Sequence, residues 1–284
     1  MEQQMSKGFI VFAQNTESVD YVKQAYALAL SIQSSQQTYK NISLVTNNVV
    51  PSEYMHAFDK IIEIPWVTET STRYAGEHRW KLYHVTPYDE TIVLDSDMLV
   101  LEDLSSWWKQ CDNYDVNFCS RVKNHKLDVV TSNFYRKTFV ENNLPNVYFG
   151  LHYFKKTDFS YNFFKILEFV CNNWEWCYSK FAPNLYQNSL SMDLATAIAI
   201  NIVGEYSIID KCSPLEFIHM KPMVQDWDSP TLNWQDSVHY TFGTNGNLIV
   251  GNIKQSKVFH YVEKNFISDK MLTTLREIAN GKEA

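Results

Sequence analysis

The chain has 284 residues, 45% of them hydrophobic and 20% charged, enough to bury one large α/β core or one domain plus a smaller lobe. A formal net charge of −7 excludes general binding to a nucleic-acid backbone, which needs a basic footprint. Five cysteines without metal-ligand spacing, a polar stretch at residues 1–7 and apolar runs too short for a bilayer predict a cytoplasmic protein with reduced, buried thiols and no membrane span.

Gly8-Phe9-Ile10-Val11-Phe12-Ala13 reads as a first buried strand. Gln14-Asn15-Thr16 ends it and supplies a helix cap, with a helix over residues 19–32. Ile42-Ser43-Leu44-Val45-Thr46 is a second strand, residues 51–58 a short helix opened by Pro51, and Ile61-Ile62-Glu63-Ile64 a third strand. This strand–helix alternation argues a parallel sheet of the nucleotide-binding type. Residues 68–76 are polar and read as a mobile loop, and residues 78–84 have helical character.

Next comes Thr91-Ile92-Val93-Leu94-Asp95-Ser96-Asp97-Met98-Leu99-Val100-Leu101. Its first half reads as a buried strand of a sheet covered on both faces. In open α/β sheets the ligand crevice lies outside the carboxyl ends of the strands. Asp95 and Asp97 would present hard oxygen ligands there to a divalent cation that also holds phosphate groups; the alternative is a pair of solvated strand-end acids. A second triplet, Asp226-Trp227-Asp228, has no apolar run before it and reads as a turn. Lys81 is either a phosphate-facing cation or a solvated helix lysine.

Beyond residue 104 the alternation is less regular. Trp107-Trp108 begins a helix, residues 115–119 form a strand and residues 124–142 a polar excursion. Residues 146–154 read as a strand, 157–173 as a helix, and Ser191-Met192-Asp193-Leu194 opens another helix with a carboxylate in its first turn. Ile208-Ile209-Asp210 and Phe217-Ile218-His219-Met220 read as short strands, Val258-Phe259-His260-Tyr261 as the last strand, and residues 268–279 as an amphipathic helix. The chain is expected to form one domain, 1–284.

Three segments in this order resemble the GT-A fold glycosyltransferases, in particular the glycogenin-like, retaining family 8. They are Ile10-Val11-Phe12-Ala13-Gln14-Asn15, the Lys81-Leu82 helix leading into the Asp95-Ser96-Asp97 strand, and His260-Tyr261 on the last strand. The resemblance implies a central mostly parallel sheet with helices on both faces. Residues 1–104 would form a nucleotide-sugar-binding half and residues 105–284 an acceptor-side half. It implies a metal-dependent transfer of sugar, with retention, from a nucleotide-sugar donor (a UDP-sugar) to an unidentified acceptor.

Asp95, Asp97 and His260 would then hold Mn²⁺ or Mg²⁺, and an imidazole among the ligands tilts the choice towards Mn²⁺. Asn15, Ala13, Lys81, Ser96 and Lys264 would contact the nucleotide-sugar, and Asp193 would orient the acceptor or the donor sugar. Departures from the family pattern are Tyr148-Phe149-Gly150 in place of Asn-Ser-Gly, Asp193-Leu194 in place of Asp-Gln, and a lysine four residues after His260 instead of six. His219-Met220-Lys221-Pro222 competes with His260 as the metal corner. Two rival readings remain: a binding or scaffold protein on a degenerate GT-A fold, and a haloacid-dehalogenase-type phosphatase, which places its Asp-x-Asp on the first strand.

Overall fold

The computed structural model describes residues 5–66, 75–130, 136–220 and 238–281. The first apolar run forms β1 (Lys7–Phe12), and β2 (Ile42–Val45) and β3 (Lys60–Ile62) line up parallel to it on one side. On the other side β4 (Glu90–Asp95) is parallel to β1, from Lys7↔Glu90 to Phe12↔Asp95. The sheet continues through β8 (Tyr148–Lys155) to β6 (Val116–Cys119), with β8 antiparallel to both neighbours, so its six strands run β3-β2-β1-β4-β8-β6.

Alternate residues of β1 serve opposite faces, as strand geometry requires. Phe9 and Val11 join a core with α1 (Tyr21–Ser35), Trp108 and the C-terminal helix Asp269–Gly281. Ile10 and Phe12 join another with Val93, Phe149, Phe163, Phe164 and the helix Met192–Val203. Helices therefore cover both faces, and the central strands are apolar without a polar side.

A second sheet positions the site; the strands expected at 217–220 and 258–261 are two of its members, but the sequence did not show that they form a sheet of their own. It runs β5 (Met98–Val100), β13 (Val258–His260), β9 (Glu216–His219), β7 (Arg121–Lys123). β13 is antiparallel to β5, with His260 opposite Met98, and parallel to β9, with His260 opposite His219. A small meander of β10 (Tyr240–Phe242), β11 (Leu248–Val250) and β12 (Ile253–Lys254) precedes β13.

Several expectations need correction. α1 starts at Tyr21, not 19, because Asp20 is the cap and accepts from the Lys23 amide at 2.9 Å; Asn15 assists from a distance, its Oδ1 accepting from the Val22 amide at 3.0 Å. Residues 208–210 are not a strand. Gly204, at φ 72°, ends the Met192–Val203 helix in the left-handed region, and the apolar pair Ile208-Ile209 lies in a 3-10 turn, Tyr206–Ile209. The helix expected over 157–173 is Asp158–Asn172, capped by Thr157, and a further helix, Trp174–Phe181, follows it. Within the excursion of residues 124–142 lies the short helix Lys137–Glu141. Four cysteines are buried, but Cys212 is exposed. Asp226-Trp227-Asp228 and most of the loop expected at 68–76 lie outside the described residues. Among the described residues no helix is long and apolar enough to cross a membrane.

Candidate functional site

Asp95 is the last residue of β4, so the central sheet delivers it to the carboxyl edge. The chain turns at Ser96-Asp97 and leaves as β5, which hands Asp97 to the second sheet. Pairing of β5 with β13 then brings His260 alongside. The Tyr261 amide donates to the Asp97 carbonyl at 3.1 Å, and the buried Tyr261 hydroxyl reaches the Ser96 carbonyl at 3.5 Å. His260 Nε2 lies 3.0 Å from Asp97 Oδ1 and Lys264 Nζ 2.6 Å from Asp97 Oδ2. Ligand atoms of Asp95, Asp97 and His260 all lie within 4.8 Å of one another.

Asp97 is only 6% exposed, and burial by itself would raise its pKa. The opposing pull of His260 and Lys264 is stronger, so the carboxyl stays well below the ordinary range. Lys264 is held above its usual value: burial opposes its charge, but Asp97 outweighs burial. His219 stacks on His260 with ring centroids 4.8 Å apart and planes 16° apart. It lines the same cavity without entering the three-residue cluster.

That cavity, of about 690 Å³, is lined by residues that include Arg79, Asp95, His219 and His260 together with Arg136, Tyr148, Gly150, Gln187 and Asp193. Arg79, from the 3-10 turn Ala75–Lys81, pairs with Asp95, and its guanidinium carbon sits 5.4 Å from the centroid of the Phe149 ring. Asp193 lies in the first turn of the Met192–Val203 helix, capped by Ser191, and its Oδ1 accepts the Phe149 amide at 2.8 Å. Gly150 is small for a reason. A Cβ there would lie 3.0 Å from the carboxyl carbon of Asp95.

The remaining residues singled out in the sequence take varied places. Lys81 is not part of the cavity wall; its ammonium lies 5.6 Å from the Trp66 ring and 5.3 Å from the Trp80 ring, and burial lowers its pKa while Glu168 pulls the other way. Two residues upstream, Arg79 holds the position beside Asp95. Asn15 follows β1, with its amide bonded to Asn48 Oδ1 at 2.7 Å. Ala13 is buried, its amide donating to the Val45 carbonyl at 3.0 Å, and Ser96 is buried in the turn between the two acids. Lys264 also lines a second hollow, of about 420 Å³, with Asp20, Lys23 and Gln24.

The cluster fits a divalent cation. Its donor set is two carboxylates and an imidazole, with the Nε2 of His260 3.0 Å from Asp97 Oδ1. Asp95 ends the fourth strand, at the centre of the sheet, and Asp97 lies in the turn after it, not on the first strand where the phosphatase alternative requires the pair.

The sequence matches no protein-family model and no curated protein. Solved structures do match. The galactosyltransferase LgtC, solved with donor and acceptor sugar analogues, is similar at TM-score 0.50 and 12% identity over 96% of this chain and 95% of that one. Mouse xyloside xylosyltransferase 1 is similar at TM-score 0.52 and 11% identity over 89% of this chain and 96% of that one. GlyE of Streptococcus pneumoniae TIGR4 is similar at TM-score 0.45 and 12% identity over 97% of this chain, which spans 63% of its length. At such identities what is shared is architecture, and the architecture of this chain is that of the GT-A glycosyltransferases.

Proposed function

We propose that this protein is a metal-dependent glycosyltransferase that moves a sugar from a nucleotide-sugar donor, with uridine diphosphate as leaving group, to an unidentified acceptor. One observation carries the reading: Asp95, Asp97 and His260 converge beside a cavity whose wall also holds Arg79 and Asp193. These three residues would hold Mn²⁺ or Mg²⁺, which supplies a Lewis acid for the charge that develops on the leaving diphosphate.

Arg79 and Lys264 add positive charge at the same place, each already bonded to one of the two acids. Asn15 keeps its side-chain amide nitrogen for the nucleoside, because its Oδ1 is committed to the Val22 amide. Asp193 faces the cavity as an acceptor of sugar hydroxyl protons in hydrogen bonds. Retention of the anomeric configuration belongs to the same reading and rests on the family 8 resemblance.

The test is a thermal-shift panel of UDP, GDP, CDP, TDP and UDP-sugars, with and without Mn²⁺, on wild type and Asp97→Ala. Ligand that binds only the native state raises the melting temperature, by about 2.7 kcal/mol of stability at a hundredfold excess over Kd. The expected result is a shift for uridine nucleotides alone that needs metal and disappears in the variant. No shift with any nucleotide refutes the proposal. A second reading, a sugar-binding protein without turnover, is favoured by the basic partners on both acids and by Tyr148-Phe149-Gly150. Metal-dependent binding of a UDP-sugar with no transfer and no hydrolysis would select it.

A further inference from the structure

Arg136 lies in the cavity wall and is 5% exposed. Burying a guanidinium is costly unless it is fully paired, and here each part of it is held. Its carbon sits 4.0 Å from the centroids of both Phe139 and Tyr148. Its Nε donates to Asn146 Oδ1 at 2.8 Å, one terminal nitrogen to the Val147 carbonyl, and the other to Asp193 Oδ2 at 2.7 Å.

Asp193 is therefore gripped on both oxygens, by Arg136 on one and by the Phe149 amide on the other. Its side chain keeps 26% exposure, and it lines the cavity. Two donors draw charge from the carboxylate and fix its plane. What remains is a set of lone pairs suited to accepting hydrogen bonds from hydroxyl groups, and a poor nucleophile. The grip also sets a distance. Phe149 bonds Asp193 while the next residue, Gly150, lies against Asp95, so one stretch of β8 spaces the sugar-side acid from the metal-side acid.

We infer that Arg136 is a positioning residue that locks Asp193 as a fixed hydrogen-bond acceptor for sugar hydroxyls and bars it from attacking the anomeric carbon. The inference rests on the transferase reading above. An arginine that only fills space between two rings would not need to end on the cavity carboxylate.

The experiment is a double-mutant cycle of Arg136→Ala and Asp193→Asn. It reads turnover and calorimetric binding of UDP, UDP-glucose and UDP-galactose with Mn²⁺. A misplacement near 1 Å costs about 10²-fold in rate, so Arg136→Ala should lower kcat by about that factor, with donor KM within roughly threefold. In the Asp193→Asn background the same change should cost less than about threefold more, because residues that act as one unit are not additive. Both single variants should lose the same share of the preference for the UDP-sugar over UDP.

Arg136→Lys should not restore the rate, since an ammonium cannot make three in-plane bonds, whereas added guanidinium ion should partly rescue Arg136→Ala. If Arg136→Ala does not fold, Arg136→Lys carries the cycle in its place. Additive losses in kcat, or a glycosyl–Asp193 adduct trapped on the wild type, overturn the inference and leave the transferase reading intact. A wild type that binds none of these nucleotides overturns both.

Discussion

Gly150→Ala separates packing from function. An added methyl group would lie 3.0 Å from the Asp95 carboxyl carbon, and nearer still to its Oδ2, while Met98 Cε at 3.5 Å leaves no relief on that side. Carbon atoms sit comfortably at about 3.5–4.0 Å, so the Asp95 carboxyl must withdraw by roughly 1 Å. The carboxyl is the end of a short side chain, and turning it away costs stability at the low end of the overpacking range, about 1 kcal/mol. Withdrawal breaks the pairing with Arg79 and takes one ligand out of the cation cluster. A ligand displaced by that amount should reduce turnover by about 10²-fold. The assay is a Mn²⁺ titration of donor turnover, run beside thermal melting. The expected result is a melting temperature lowered by a few degrees with metal-dependent activity nearly lost. Unchanged metal affinity and rate in Gly150→Ala would show that Asp95 is not a ligand of the cation.

Arg79→Met and Lys81→Met form a matched pair: the first should lower kcat by at least about tenfold by removing the cation beside Asp95, and the second should leave kcat within about threefold, as measured on the same donor. Equal losses would return the diphosphate role to Lys81. His152, buried among Phe118, Phe149 and Phe154, has its pKa pushed by burial down to about 3, with the Phe149 carbonyl opposing and the Arg79 charge adding to the shift. The unfolded chain takes up that proton near pH 6.5 and the folded chain does not, so stability is full above about 6.5 and falls as pH drops towards 3. The slope from this residue approaches about 1.4 kcal/mol per pH unit, and urea denaturation at pH of about 7, 6 and 5 should show it flattened in His152→Gln. Parallel curves for the two proteins would rule the assignment out.

The sequence by itself determined the elements whose pattern is local. β1, β2 and β4 are runs of buried residues, and the Asp158–Asn172 helix follows its Thr157 cap. The Asp95-Ser96-Asp97 corner was legible because an apolar strand ending in acids is a chemical statement complete within a few residues. Local patterns misled where burial alone produced them: Ile208 and Ile209 are apolar because a tight turn tucks Ile208 inside, not because they pair in a sheet.

Only the tertiary structure decided the rest. The choice of His260 beside Asp97 is made by the register of β13 on β5, a pairing of residues more than 150 positions apart that no periodicity encodes. The same holds for Arg136, which lay in a polar excursion and gains its meaning from two rings and a carboxylate supplied by other elements. Arg79 and Lys81 are both cations of one short helical segment. Which of them faces the acids depends on the rotation of that turn against β4, and packing sets that rotation, with the Lys81 ammonium beside Trp66 and Trp80 and the Arg79 guanidinium against Phe149 and Asp95.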